Sequence, residues 1–140
     1  MTVSNVVLIT IDSLRADHVS GQGHSRETTP TIDALAEDGL TFTEAVSNEP
    51  STRSSFPSIL TGTYPLMYGG YSYLSDERPF VARTFSEQNF ISVAFHSNPH
   101  VGADQNYDTG FDAFNDTAEG SDNVASIKDR AERRLDPDSY

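Results

Sequence analysis

The 140-residue chain has no cysteine, no tryptophan and a single lysine, Lys128. Without cysteine there is no disulfide, no thiolate metal site, no iron–sulfur cluster and no cysteine nucleophile. Long apolar runs are missing too. The opening stretch from Val6 to Ile11 is far shorter than the ~20 residues of a membrane-spanning helix, and no basic segment precedes it as in a secretory leader. Positive charge is scarce: nine Lys and Arg stand against 21 Asp and Glu, a net charge of −12. Such a field repels nucleic acid and anionic membranes, so neither is an expected partner. An acidic, lysine-poor chain fits a salt-rich cytoplasm, where the screening length falls to ~3 Å at about 1 M salt. A halophilic source is the expectation, with an ordinary acidic protein as the alternative. The length suits one domain, residues 1–140, with a core of its own.

What is present reads as alternating strand and helix. Residues 5–11 (NVVLITI) form a β-branched apolar run, the pattern of a strand buried on both faces of a parallel sheet. Thr29 and Pro30 open a helix as N-cap and first turn, Ile32, Leu35 and Ala36 give its stripe, and Gly39 closes it. Residues 40–46 alternate as a second strand. A short helix is predicted over 54–60, with Ser54 as N-cap, Pro57 harmless at the third position and Gly62 at its end. Tyr64, Tyr68, Tyr71 and Tyr73 lie in a turn-rich stretch and are expected to pack within the loop. Residues 79–88 read as a helix, 90–95 as a third strand, 96–123 as a long loop and 124–135 as a last helix. This order predicts an α/β fold with a mostly parallel sheet and flanking helices. Ligand sites in such sheets lie beyond the strand carboxyl ends. Asp12, the 51–55 loop and the 96–100 stretch all follow predicted strands, which would bring them to one edge.

Each of these places admits two readings. Asp12 is a good hard-cation ligand or a turn residue. Residues 51–55 (STRSS) offer four hydroxyls and Arg53 ahead of a helix N-terminus. That is either an oxyanion site, with Arg53 as a planar fork, or a polar loop with a serine cap. The histidines His18, His24, His96 and His100 show no metal-binding spacing. His96 and His100 are the two placed to touch a substrate.

Four segments carry a family resemblance. Residues 5–18 (NVVLITIDSLRADH) resemble the opening strand and metal-binding turn of the sulfatases, in the alkaline phosphatase superfamily. Residues 29–42 (TPTIDALAEDGLTF) resemble that family's P-x-[IL]-D-x-L-A-x-x-G-x-x-F segment. Residues 52–62, ending in LTG, are similar to its C-x-P-S-R-x(3)-L-T-G signature around the nucleophile. Residues 108–114 (DTGFDAF) resemble its G-F-D-x-F segment. Counting back from LTG, Thr52 stands where Cys or Ser matures to formylglycine, Ser54 where Pro stands and Phe56 where Arg stands. Arg53 is the nearest arginine, out of register, and Ser13 replaces the second aspartate after Asp12. Threonine cannot yield the aldehyde, but a threonine nucleophile resembles superfamily branches that attack phosphate esters or phosphonates directly.

The resemblance implies an alkaline-phosphatase-like α/β fold, here incomplete. It implies a divalent cation, calcium or magnesium foremost and manganese or zinc otherwise, held by Asp12 and Thr52. Thr52 would be the nucleophile and Arg53 would hold the oxyanion of a small sulfate or phosphate ester, a monoanion by charge. Family members are far longer, and their other metal ligands and their catalytic His and Lys come from a later segment. The expectation is therefore an N-terminal sulfatase portion, inactive in isolation. The alternatives are a remnant completed by a second chain and an anion-binding module without turnover.

Overall fold

A computed structural model describes residues 5–116; the predicted helix over 124–135 lies outside them. The chain divides into two compact units, Met1–Val46 and Ser47–Tyr140.

The first unit is organised around one helix. Two 3₁₀ turns, Ala16–His18 and Ser20–Gln22, lead to α1, Pro30–Asp38. Pro30 occupies the first turn as expected, where its missing N–H costs nothing. Asp33 ties the unit together. It accepts from the Gly21 amide at 2.9 Å, from the Thr29 hydroxyl at 3.3 Å and from the Ser20 hydroxyl. Ser20 and Thr29 also exchange amide-to-hydroxyl bonds of 3.0 and 3.1 Å. These donors, Ser20 foremost, hold the Asp33 carboxyl below its ordinary pKa. Gly39 closes α1 in an extended conformation (φ −119°, ψ −163°) and not in the left-handed one a C′ glycine favours.

Both strands predicted in this unit are absent. Residues 5–11 run without strand pairing, with Val7 81% and Ile9 73% exposed. Residues 40–46 form no strand either: a turn interrupts them at Thr43 and Glu44, and Val46 is 88% exposed. Their apolar pattern suits a sheet interior, but a strand exists only where a neighbour takes up its amides and carbonyls.

Among the described residues, the second unit holds the main buried cluster and the sheet. Its helices are α2, Thr52–Thr61, and α3, Val81–Glu87. Its strands are β1, Val93–His96, and β2, Ala113–Asp116, paired in parallel with Val93 opposite Ala113 and His96 opposite Asp116. The two-stranded parallel sheet with flanking helices is the α/β architecture expected. Leu74, Phe80, Val101 and Tyr107 form the buried cluster, with Phe56 and Leu60 of α2 and Phe114 of β2 packed against it.

Three boundaries differ from the sequence reading. The third strand begins at Val93, not residue 90, because α3 ends in a hook that consumes the intervening residues. Asn89 takes a left-handed φ of 62°, its amide bonds the Ser86 carbonyl, and the Phe90 amide reaches back to Phe85, both at 3.0 Å. The Phe85 and Phe90 rings meet edge-on at 5.5 Å, the apolar contact that accompanies this C-cap. The long loop predicted over 96–123 contains β2, whose short, polar-ended sequence carries no strand signal. Asp112 sets its register from outside, accepting from the Ser92 amide at 2.9 Å while its own amide bonds the Ser92 carbonyl at 2.9 Å. The third difference, in α2, bears on the candidate site.

Candidate active site

Helix α2 is capped three residues earlier than predicted, at Ser51 (φ −129°, ψ 153°) and not Ser54, with Gly62 ending it at a left-handed φ of 64°. Thr52 and Arg53 therefore form the first turn instead of the loop before it. Pro57 lies in the helix interior and not at the third position. Its missing N–H removes the bond the Arg53 carbonyl would accept, and its ring crowds that carbonyl. Burial of Pro57 in the core offsets this loss.

The serines flanking the first turn are consumed locally. Ser51 and Ser54 hydroxyls lie 2.7 Å apart, Ser55 donates to the Glu49 carbonyl at 2.7 Å, and Ser47 contacts the Ser55 hydroxyl at 3.0 Å. This lashing fixes the loop to the helix. The first turn itself carries the half-buried Thr52 and the exposed Arg53. The first-turn amides have no intrahelical partner by helix geometry, and with the helix dipole they favour an anion there.

Phe56 explains the departure at the signature arginine position. It sits one turn beyond Thr52, meets Tyr107 edge-on at 6.4 Å and packs on the core, where a guanidinium would be stranded. Tyr107 is 1% exposed, and its hydroxyl finds no hydrogen-bond partner among the described residues. Desolvation pushes its pKa up to about 12, against the opposing pull of Arg78 and Arg53. Sequence reasoning passed over Tyr107 and Arg78, and no local pattern marks either.

Asp12 belongs to the first unit and Thr52 and Arg53 to the second. Asp12 is exposed, follows no strand, and accepts a 3.5 Å hydrogen bond from the Ser13 hydroxyl. His96 ends β1, its ring 4.8 Å from Phe114 and its Nδ1 3.2 Å from the Asn98 carbonyl oxygen. His100 is exposed in the following turn, its amide donating to the Asn98 side chain at 2.9 Å. A depression of about 340 Å³ is lined by Thr41, Phe42, Thr43, Glu44 and Ala45 and includes none of these residues. Among the described residues no three His, Asp or Glu side chains gather to share a cation. A hard cation takes six or more oxygen ligands in most sites, so the described residues do not compose a cation site. No described helix is long and apolar enough to cross a membrane.

Comparison with known proteins resolves the family. A family-wide sequence model described as Sulfatase matches residues 4–136. The chain belongs to the sulfatase family. An ulvan-active sulfatase of Formosa agariphila is 34% identical over 103 residues, covering 71% of this chain and 20% of that protein. An arylsulfatase of Clostridium perfringens is 36% identical over 69 residues, 49% of this chain and 14% of its own length. Human arylsulfatase A is 37% identical over 67 residues, 48% of this chain and 13% of its own. The chain thus spans a fifth or less of these curated relatives and corresponds to an N-terminal sulfatase portion. No solved structure matches it significantly. Sulfatases are hydrolases that generally use a divalent metal ion.

Proposed function

We propose that this chain is the nucleophile-bearing portion of a sulfate-ester hydrolase. The observation that carries the reading is Thr52 on the first turn of α2, ten residues ahead of Gly62, in a chain of the sulfatase family. The Thr52 hydroxyl oxygen would form the new bond to sulfur while the ester S–O bond breaks in line, the hydroxyl proton going to the departing alcohol. Water would then release sulfate from Thr52. Arg53 and the α2 first turn supply the positive field for the developing oxyanion. The names of the relatives, an ulvan-active sulfatase and arylsulfatases, support sulfate over phosphate as the transferred group.

The test uses aryl sulfate, phosphate mono- and diesters and a phosphonate ester, each with calcium, magnesium, manganese or zinc. It is run on this chain and on a chimera in which the chain replaces the matching segment of an active relative. The expected result is no turnover by the chain alone and sulfate-ester hydrolysis by the chimera, reduced at least 100-fold by Thr52→Ala. Chimera activity indifferent to Thr52→Ala, or confined to phosphate esters, overturns the reading. Saturable anion binding by the chain with no turnover in the chimera would make it a binding module. The charge of −12 with one lysine supports a salt-rich cytoplasm as its setting. Circular dichroism should then show more order in molar salt than in dilute buffer, and equal order in both would remove that inference.

A further inference from the structure

His18 and His24 show no metal-binding spacing in the sequence, yet the fold brings their rings together. The segment between them is closed on itself. The Val19 carbonyl accepts from the Gln22 amide at 3.0 Å and from the His24 amide at 3.4 Å. Gly23, at a left-handed φ of 101°, turns the chain back between those two donors. The Thr28 hydroxyl donates to the His18 carbonyl at 2.5 Å, and the Ser20–Thr29 bonds pin the loop to the start of α1. The two imidazole ring centres lie 5.5 Å apart, with 28° between their planes. The His18 side chain is 57% exposed and His24 is half-buried.

The bonds of the rings decide what they can do. His18 Nδ1 lies 3.0 Å from the Asp17 carboxylate, which the Arg15 guanidinium holds in place. His24 Nδ1 lies 3.0 Å from the Arg26 carbonyl oxygen. An Nδ1–H donated to a carboxylate or a backbone carbonyl is the contact that metal-binding histidines make with their other nitrogen, because it fixes the ring and leaves the Nε2 lone pair for the ion. Both rings have it here, one of each kind. The Arg26 amide also lies 3.2 Å from His24 Nδ1, so an ion on Nε2 selects the tautomer that donates to the carbonyl. Among the described residues these Nδ1 contacts are the only hydrogen bonds of either ring, and both Nε2 atoms are left over. Stacking alone explains the approach of the rings, but not that both Nδ1 atoms are engaged while both Nε2 atoms are not. The distance fits as well. Metal–nitrogen bonds of ~2.0–2.1 Å put two imidazole centres about 5 Å apart on one tetrahedral ion, and the observed 5.5 Å is a small side-chain adjustment from that.

We infer that His18 and His24 together bind one divalent transition ion of the zinc, copper and nickel class, fastening the 18–28 loop ahead of α1. Imidazole nitrogen suits these ions, whereas calcium and magnesium take oxygen. Two protein ligands hold the ion and water fills the other positions. Asp17 neutralises the neighbouring Arg15, and a protein of net charge −12 attracts cations to its surface. The inference uses neither Thr52 nor turnover, so it stands apart from the hydrolase reading.

The test uses the full chain without a histidine tag. Calorimetric titration with zinc, nickel and calcium chlorides is expected to give saturable, equimolar binding of zinc and of nickel and none of calcium. Nitrogen NMR of the imidazoles should show zinc shifting the Nε2 signals of His18 and His24 while those of His96 and His100 stay in place. His18→Ala and His24→Ala should each weaken zinc at least tenfold with an unchanged circular dichroism spectrum, and Asp17→Asn, which weakens the acceptor behind His18, about tenfold. The His96→Ala/His100→Ala variant is expected to bind as the parent chain does. If a variant loses its fold, the NMR shifts of the parent chain decide the case. Undiminished binding in either single variant, more than one ion per chain, or a shift confined to one of the two rings would mean separate surface imidazoles and overturn the inference. Zinc binding that follows His96 and His100 instead, or no saturable binding at all, overturns it as well.

Discussion

Residues 5–11 and residues 93–96 make an instructive pair. The first, NVVLITI, has the composition of a buried strand, yet its side chains stand in water, Val7 at 81% exposure. The second, VAFH, is shorter and ends in a histidine, yet it is a strand. What separates them is a partner. Asp112 brackets Ser92 and delivers Ala113 opposite Val93, so the second segment has its ladder supplied within its own unit. Strand formation is a property of two segments, and apolar pattern states only the demand for the second one. The same contrast runs through the side chains: Leu74 and Phe80 in the second unit are 0% and 1% exposed, whereas Leu40 in the first is 80% exposed.

The largest expected effect tests that contrast directly. Leu74→Ala removes a fully buried side chain from the cluster with Phe80, Val101 and Tyr107, and should destabilise the second unit by about 2–5 kcal/mol in urea unfolding. Leu40→Ala should stay within about 0.5 kcal/mol. A cost above about 1 kcal/mol for Leu40→Ala would show that the first unit's apolar segment is buried in solution.

Glycines sharpen the comparison. Gly110 has φ 86°, and a Cβ there would lie 2.6 Å from the Arg83 amide nitrogen and 3.2 Å from the Ala82 carbonyl carbon. Gly110→Ala thus combines a left-handed backbone with a backbone collision at the start of α3, an expected loss on the order of 2–4 kcal/mol. Gly23 of the first unit has φ 101° but nothing within 4 Å of its would-be Cβ. Gly23→Ala should therefore cost only the conformational strain, about 1–2 kcal/mol. Equal losses in thermal unfolding would mean that the approach of residue 110 to α3 is not as tight as the structure has it.

The sequence carried the helices better than the sheet, for the same physical reason. Helix signals are local: Thr29–Pro30 marked the start of α1, and the left-handed Gly62 marked the end of α2. The start of α2 differs from the sequence expectation because two serines compete for the cap, and Ser51 takes it while its hydroxyl contacts that of Ser54. Strands needed knowledge of their partners, so residues 5–11 and 40–46 were overestimated and Ala113–Asp116 was missed. Of the candidate site, the LTG register points to Thr52 and Arg53 is picked out only as the neighbouring arginine, out of that register, while no local pattern marks Arg78 or Tyr107. Their roles arise from burial among segments distant in sequence, Tyr107 against Phe56 and Arg78 against residues 63–70.

Tyr107 gives the second unit an alkaline signature. Its pKa is pushed up from 10.0 to about 12 by desolvation in the core. A raised folded-state pKa means the contribution is fully present below the unfolded value near 10 and is lost as pH rises toward about 12. The unfolded chain ionises first and is favoured in that window, by on the order of 2 kcal/mol. Urea midpoints between pH 9 and 12 should fall for the parent chain and less steeply for Tyr107→Phe. Parallel curves would assign the alkaline loss to other tyrosines.

The first unit has its counterpart at the acid end, with a smaller effect. The Arg15 guanidinium donates two hydrogen bonds to Asp17, at 2.9 and 2.6 Å, and His18 Nδ1 lies 3.0 Å from the same carboxylate. These partners, Arg15 foremost, lower the Asp17 pKa from 3.8 to about 2. A depressed folded-state pKa reverses the sign found for Tyr107: the contribution is present above about 3.8 and disappears as pH falls toward about 2. The cluster is well exposed, at 72% for the Arg15 side chain and 60% for Asp17, so solvent screens it and the stability of the unit should barely respond. The titration itself is the sensitive measurement. Carboxyl carbon NMR should place the Asp17 midpoint near 2, and Arg15→Gln should return it toward the ordinary carboxylate value. An Asp17 midpoint that ignores Arg15→Gln would transfer the effect to His18, the other group on that carboxylate.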